Sequence, residues 1–442
     1  MLSAPRRRRQ VAKPPRSGNV PGRPEMVVSE AGSGLAAGAA HSYVNLGDSA
    51  RVALMITPQG RGTFREQARE VVSAMRTVLA KQPAPMVVTV QTVFLKDAQD
   101  QAECERLLAA LPFSQRPVTN FVLQPPCGGA ALALEAWAIG GDSVRVERFG
   151  SHTLAVSYDS VRWVYCAGIQ PDGSLPEVYP QALEALGRLR AALVQAGSSF
   201  PCVVRTWLYL GGITEPETGG QRYQELNRAR SDFYRDIRFH CVSPVPDSSG
   251  DLYPASTGIG MAGRGLVLSC MALETQRDDI FLLPLENPRQ IPAYAYDARH
   301  SAQSPKFARA VALVLGHYVT TWISGTASIV DSESCHPGDA ERQTEQTIDN
   351  IEQLIAADNF AAHGLKGAGA RLHDLAKVRV YLKRPEDLAK CQAVCERRFG
   401  AVPAIYAVAD ICRPELLVEI EGVAFSTYSR AEGAPPKSSP RA

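Results

Sequence analysis

The stretch Leu416-Leu417-Val418-Glu419-Ile420-Glu421-Gly422 sets apolar and acidic residues in alternation. A strand's period of two puts Leu416, Val418 and Ile420 on one face and Glu419 with Glu421 on the other. An apolar face of this kind belongs to a core, so the acidic face lines either a solvent layer or a cavity. Glutamates are mostly exposed in folded proteins, and a solvated face accounts for the alternation by itself. A carboxyl held in a partly dry cavity would instead have a raised pKa and serve as a proton donor near neutral pH. The alternation alone leaves both readings open.

This strand closes an order of elements that recurs along the chain. Val319 to Ile329 reads as a strand, Gln343 to Ala356 as a helix with Ile348, Ile351 and Ile355 on one face, and Ala376 to Leu382 as a strand. Pro385 to Arg398 follows as a helix, then Ala404 to Ala409 and Leu416 to Phe425 as strands. The same order runs through Arg162–Ile169, Pro180–Ala196, Cys202–Leu210, Gly220–Tyr234, a strand around Thr257 and Leu266–Ala272. A fainter copy occupies Ser42 to Gly141, with a helix over Gln67–Lys81, a strand over Met86–Leu95 and a second helix around Ala102–Leu111. Units of about a hundred residues are too long for solenoid repeats. They predict an α+β fold of tandem β-α-β-α-β-β units, each a sheet with helices packed on one face. The expected division is a disordered tail over 1–41, units over 42–143 and 144–285, a loop over 286–310 that covers a cleft, a last unit over 311–428, and a second tail over 429–442. Gly258 to Gly263 reads as a glycine-rich strand connection, since no helix clearly follows it to receive a phosphate.

Composition narrows the function classes. Of 442 residues, 45% are hydrophobic and 21% charged, which is ordinary for a soluble globular protein. Arg6 to Arg9, Lys13, Arg16 and Arg23 against Glu25 and Glu30 give the first thirty residues a charge of +5; the remainder, at −3, has no nucleic-acid footprint. No run of eighteen apolar residues predicts a membrane span, and no apolar stretch behind the N-terminal arginines makes a secretory signal. The ten cysteines form no framework or paired-ligand pattern, so they are expected as reduced thiols in a cytoplasmic protein. P-loop, GxGxxG, GxSxG and HExxH signatures are missing, and the expectation is neither cofactor nor metal.

What remains is arginines and tyrosines in unusual places. Arg205 interrupts the apolar strand VVRTWLYL; Arg222, Tyr223 and Arg230 lie on the next helix, and Tyr294, Tyr296 and Arg309 in the irregular loop. Singly, each arginine reads first as a surface ion pair. Together around a cleft they suit a small, multiply carboxylated ligand, because the planar guanidinium matches a carboxylate bidentately.

Several of these segments resemble the chorismatase family: Arg205 to Tyr209 (RTWLY), Arg222-Tyr223-Gln224, Pro254 to Gly260 (PASTGIG), Glu286-Asn287-Pro288, Ser304 to Ala310 (SPKFARA), Ile323 to Ala327 (ISGTA) and Asp410 to Gly422 (DICRPELLVEIEG). The resemblance spans most of Val144 to Ser426 in order. The single units are similar to the Rid (YjgF-like, chorismate-mutase-like) fold, which assembles as trimers with sites between subunits. The resemblance therefore implies a homotrimer or a pseudo-trimer within one chain, with chorismate as the small-molecule partner and no nucleic acid or membrane partner.

Chorismatases remove the enolpyruvyl group of chorismate without a cofactor. Some hydrolyse it to a dihydrodiol; others release pyruvate and 3-hydroxybenzoate, and a third kind also yields 4-hydroxybenzoate. The resemblance places the essential acid at Glu419. It points to Arg205, Tyr223, Arg230, Tyr296 and Arg309 as substrate-binding residues, with Arg230 and Arg309 the best matches. Product choice in the family follows two positions that are alanine in hydrolysing members and glycine and cysteine in hydroxybenzoate formers. Here they are Gly325 and Cys412, which implies formation of 3-hydroxybenzoate and leaves 4-hydroxybenzoate open as a second product. Three alternatives stand beside this expectation: a chorismate hydrolase, a Rid-type imine or enamine deaminase, and a non-catalytic binder of small carboxylates. Against the deaminase, Ile405 stands after Pro403-Ala404 where the Rid family carries its carboxylate-binding arginine. A further departure is His300-Ser301-Ala302, where hydrolysing members carry Tyr-Gly-Pro.

Overall fold

In the helix Ala340–Ile355, Ile348, Ile351, Leu354 and Ile355 are all buried. That stripe packs on Val378, Val380, Val418 and Ile420, which lie on one face of two neighbouring strands. Asp339 caps the helix by accepting a bond from the Arg342 backbone N–H at 3.0 Å. The computed structural model describes residues 25–29, 37–47, 49–110, 116–239, 242, 253–296 and 303–428.

Three six-stranded sheets follow one plan. The first runs, edge to edge, through Glu25–Ser29, Ala37–Asn45, Ala50–Pro58, Leu132–Gly140, Met86–Leu95 and Val118–Val122. The second orders Ala255–Met261, Val203–Gly211, Leu266–Thr275, Val161–Ile169, Thr153–Tyr158 and Arg145–Phe149. The third orders Ile280–Leu285, Ala310–Leu315, Tyr318–Ala327, Val418–Thr427, Leu375–Leu382 and Ala404–Val408. In each sheet one pair is parallel and bridged by a helix, while the other pairs are antiparallel. One face of each sheet carries its own helices. The opposite faces turn toward one another, and residues of all three sheets meet in two shared apolar clusters.

Several expectations are corrected. Glu25–Ser29 pairs with Ala37–Asn45, so the predicted tail over 1–41 contains strand; its Pro and Gly content hid an edge hairpin. The rest of that tail that falls in 1–24 and 30–36, the tail over 429–442 and His300-Ser301-Ala302 lie outside the described residues. The third sheet begins at Ile280 rather than after the 286–310 loop, because Ile280–Leu285 pairs with Ala310–Leu315. Gly258 to Met261 is strand, and only the residues beyond it turn. Cys202 is disulfide-bonded rather than a reduced thiol, a proximity that sequence spacing does not encode. Leu416 does not share a core with Val418 and Ile420. The chain turns at Arg413 to Leu416, and Leu416 packs between the sheets with Ala133, Tyr209 and Tyr381.

Charged residues are buried where the sheets meet. Arg379 bonds Glu135 and Thr92 of the first sheet, Tyr209 of the second at 2.7 Å, and Glu421 of the third at 3.1 Å. Lys377 reaches Glu135 at 3.0 Å. Burial pushes the Glu135 carboxyl up, but Arg379 and Lys377 outweigh it and hold it at about 2. Removing one partner of such a group leaves an uncompensated buried charge. Glu135→Gln should therefore cost about 3–5 kcal/mol in urea unfolding. An unchanged midpoint would show that the sheets do not depend on this carboxylate.

Candidate active site

The edge strand Ala255–Met261 of the second sheet abuts Tyr318–Ala327 of the third. Ser256 N–H donates to Ser324 Oγ at 2.9 Å, and Gly325 N–H donates to Thr257 Oγ1 at 3.0 Å. The register of Tyr318–Ala327 against Val418–Thr427 shifts between Ile323 and Thr326, which turns Gly325 toward the neighbouring sheet. Beside this seam lies a cleft with about 780 Å³ of empty space, part of it open to solvent. Tyr223, Arg230, Tyr296, Arg309, Gly325, Cys412 and Glu419 all line it.

Arg205 is the exception. Its guanidinium is buried behind the cleft, bonded to Glu421 at 2.7 Å and Thr257 Oγ1 at 2.6 Å, and lies 4.6 Å from the Trp207 ring centroid. The expected substrate contact is thus replaced by a supporting one. Arg222 is likewise engaged by Glu217 at 2.7 Å and by the Gly211 and Arg264 carbonyls.

The two glutamates of the opening stretch have opposite environments. Glu421 accepts from Arg205, Trp207 Nε1 and Thr257 Oγ1 and forms an ion pair with Arg379. Burial pushes its pKa up, but Arg379, Arg205 and Lys377 outweigh that and leave it below the ordinary carboxylate range. Glu419, two residues earlier on the same face, is 4% exposed. Desolvation and the adjacent Glu421 charge raise it to about 8, against partial relief from Arg205 and Arg309. At neutral pH Glu421 is a carboxylate and Glu419 a carboxylic acid facing the cleft.

Strand register shows that this acid has no counterpart in the other two units. Glu419 faces Tyr381 across its strand pair, as Val267 faces Tyr209 and Ala133 faces Phe94. Tyr381, Tyr209, Phe94, Val267 and Ala133 share one inter-sheet cluster. Only the third unit places an acid at this position.

Gly325 makes room for it. A Cβ built there would stand 2.0 Å from Glu419 Oε1 and 3.1 Å from the Thr257 methyl. Gly258 does the same for Tyr223, whose ring would lie 2.9 Å from an added Cβ. Burial pushes the Cys412 thiol up to about 12, so it is neutral and shapes the wall rather than acting as a thiolate. Burial also keeps the Tyr223 phenol protonated.

Two buried guanidiniums face the same space. Arg230 donates to Asn227 Oδ1 at 2.6 Å and Ser256 Oγ at 3.3 Å; Arg309 donates to Tyr296 Oη and to the Ile291 carbonyl at 3.2 Å. The Nε atom of each has no hydrogen-bond partner, and Phe307 lies 5.6 Å and 5.5 Å from the two groups. Neither forms an ion pair with a carboxylate among the described residues. A permanent charge buried in this way is costly until an anion meets it.

Sequence reasoning missed Ser256, Thr257, Asn227, Phe307 and Arg413, the last of which lines the cleft 5.6 Å from the Tyr296 ring centroid. Thr257 accepts from Arg205 and Gly325 and donates to Glu421, which joins acid, glycine and arginine in one hub. The alternation of PASTGIG carried a signal for it, as did the spacing of Asn227 one turn before Arg230. Among the described residues no group of three or more His, Cys, Asp or Glu side chains is placed to hold a metal ion, and no helix is long and apolar enough to cross a membrane.

Comparison with known proteins accords with this architecture. The Endoribonuclease L-PSP family model matches residues 305–426, nearly all of the third unit. A 3-hydroxybenzoate synthase of Streptomyces hygroscopicus is 33% identical over 65% of this chain and 80% of its own length. A chorismatase of Streptomyces rapamycinicus is 31% identical over 60% of this chain and 78% of its own length. A solved chorismatase structure superposes with a TM-score of 0.58 at 23% identity, covering 76% of this chain and 93% of that one, and so shares the fold. With its units of Rid/YjgF type and two such relatives matched over more than three quarters of their length, the chain belongs to the chorismatase family.

Proposed function

We propose that this protein converts chorismate to 3-hydroxybenzoate and pyruvate without a cofactor, with 4-hydroxybenzoate left open as a second product, and that Glu419 is the acid. The observation that carries the reading is one buried carboxyl, its pKa pushed up to about 8, facing a cleft that also holds two buried arginines without carboxylate partners among the described residues. Chorismate brings two carboxylates and an enol ether. Arg230 and Arg309 would neutralise the carboxylates and position the ether. Glu419 protonates the methylene carbon of the enolpyruvyl group, and the resulting oxocarbenium ion is attacked by the ring hydroxyl. The hydroxyl gives its proton to the Glu419 carboxylate as a cyclic ketal closes. A ring proton is then lost while the ring C–O bond of that hydroxyl and the ketal bond to the original ether oxygen break; pyruvate leaves with the hydroxyl oxygen as its carbonyl, and the ether oxygen, taking up a proton, becomes the phenol of the aromatic ring. Chorismate divides into the two products with no added water. Glu421, fixed as an anion by two arginines, sustains the raised pKa of Glu419 and stabilises the developing cation.

Gly325 and Cys412 support the hydroxybenzoate outcome over hydrolysis, as the glycine–cysteine pair does in the family resemblance. The deaminase reading has less support, because Ile405 is buried in the apolar inter-sheet cluster. The activity is tested by incubating the purified protein with chorismate alone and separating the products by chromatography: pyruvate and an aromatic acid are expected. No turnover of chorismate would leave the protein a binder.

Replacing Glu419 with Gln should lower kcat about 10²–10⁴-fold with the fold retained; full activity would remove Glu419 from the acid's role. In the wild type, kcat/KM should decline above an apparent pKa near 8 as Glu419 ionises. The same shift affects stability. Because folding raises this pKa, the folded chain keeps a proton that the unfolded chain releases, so stability falls as pH rises from the ordinary carboxylate range toward 8. Glu419→Gln should flatten that part of the profile in unfolding titrations, and an unaltered slope would contradict the raised pKa.

Gly325→Ala forces the Glu419 carboxyl aside and should lower the rate by itself. Combined with Cys412→Ala it should move product toward the dihydrodiol. A product ratio identical to wild type would separate these two positions from product choice.

A further inference from the structure

A second cavity, with about 920 Å³ of empty space, opens where all three sheets converge, outside the catalytic cleft. All four tryptophans of the chain, Trp137, Trp163, Trp207 and Trp322, line it. Trp163 and Trp322 meet edge to face at 5.4 Å, and Phe425 and Leu313 extend the apolar wall. Such concentrated aromatic surface left around empty space suits a flat apolar ring.

Two polar donors of the lining meet at Tyr158. Arg51 Nη2 donates to Tyr158 Oη at 2.7 Å, and Trp163 Nε1 donates to the same oxygen at 3.1 Å. Having accepted both, the Tyr158 hydroxyl keeps its own proton to donate. The other charges of the lining are satisfied: Lys377 by Glu135 at 3.0 Å, and Asp159 by Arg277. Arg51 forms no ion pair with a carboxylate among the described residues.

We propose that this cavity is a binding site for a small aromatic monocarboxylate of the benzoate class, with its carboxylate on Arg51 and Tyr158 and its ring among the tryptophans. Among the described residues Arg51 is the one cation of the lining without a carboxylate partner, so the second anion of a dicarboxylate would find none, and the substrate proposed for the catalytic cleft does not suit this site. The assignment rests on the cavity's own lining. Under the reaction proposed above the product belongs to this ligand class, which makes the cavity a second site for product.

The test uses sodium benzoate and the full-length protein, with tryptophan emission and calorimetry as readouts and no turnover. Saturable quenching with one site per chain is expected. Arg51→Gln should weaken it on the order of tenfold or more, the loss of a charged hydrogen bond, with partial recovery in Arg51→Lys. Thr320→Phe, which fills the cavity without altering Arg51, should remove it, and this variant decides the matter if Arg51→Gln does not fold. Arg230→Gln, in the catalytic cleft, should leave benzoate binding unchanged. Absence of saturable binding, equal affinity in Arg51→Gln and Thr320→Phe, or loss of binding in Arg230→Gln would each overturn the proposal. None of these outcomes depends on whether chorismate is turned over.

Discussion

The ionisation of Glu421 is the constraint on which the rest of the site depends. Arg205 from the second sheet and Arg379 from the third hold it as an anion, and Thr257 and Trp207 fill its remaining acceptor positions. A carboxylate fixed so firmly makes a second charge two residues away unfavourable, and Glu419, dry and without a cationic bond of its own, keeps its proton. Acid and anion are set apart by environment alone. The same bonds stitch the sheets together, so the fold and the protonation pattern share one set of interactions.

The three units repeat these contacts incompletely. Glu421 reaches Arg205 and Trp207 on the second sheet much as Glu135 reaches Lys377 and Arg379 on the third. The register-equivalent position on the second sheet is Ser269, whose buried hydroxyl finds no partner. At the acid position the units carry Glu419, Val267 and Ala133. Joining three units in one chain has freed their faces to diverge: one seam holds an acid and two arginines, while the axial region holds an aromatic cavity.

Much of this was legible in the sequence, and the gaps have physical causes. Helices and strands of the last two units showed in their periodicity, since their burial repeats at 3.6 and 2.0 residues. The alternation at Val418 to Glu421 located both glutamates on one face, but whether that face met water or protein depended on the other sheets. Arg205 stood out as a charge in an apolar strand; its partner Glu421 lies 216 residues away, so nothing local turned the reading from a substrate contact to a supporting ion pair. Leu416 fitted the alternation by coincidence, because the turn before Val418 breaks the strand. Thr257 carries no charge and looked like any strand threonine. The edge hairpin near the N-terminus was masked by Pro- and Gly-rich flanks.

The central claim, a neutral Glu419 beside an ionised Glu421, is open to direct observation by infrared difference spectroscopy of wild type against Glu419→Gln across pH. The account predicts a protonated carboxyl C=O band at neutral pH that belongs to Glu419 and disappears with a midpoint near 8. A carboxylate band from Glu419 already complete at neutral pH would contradict it.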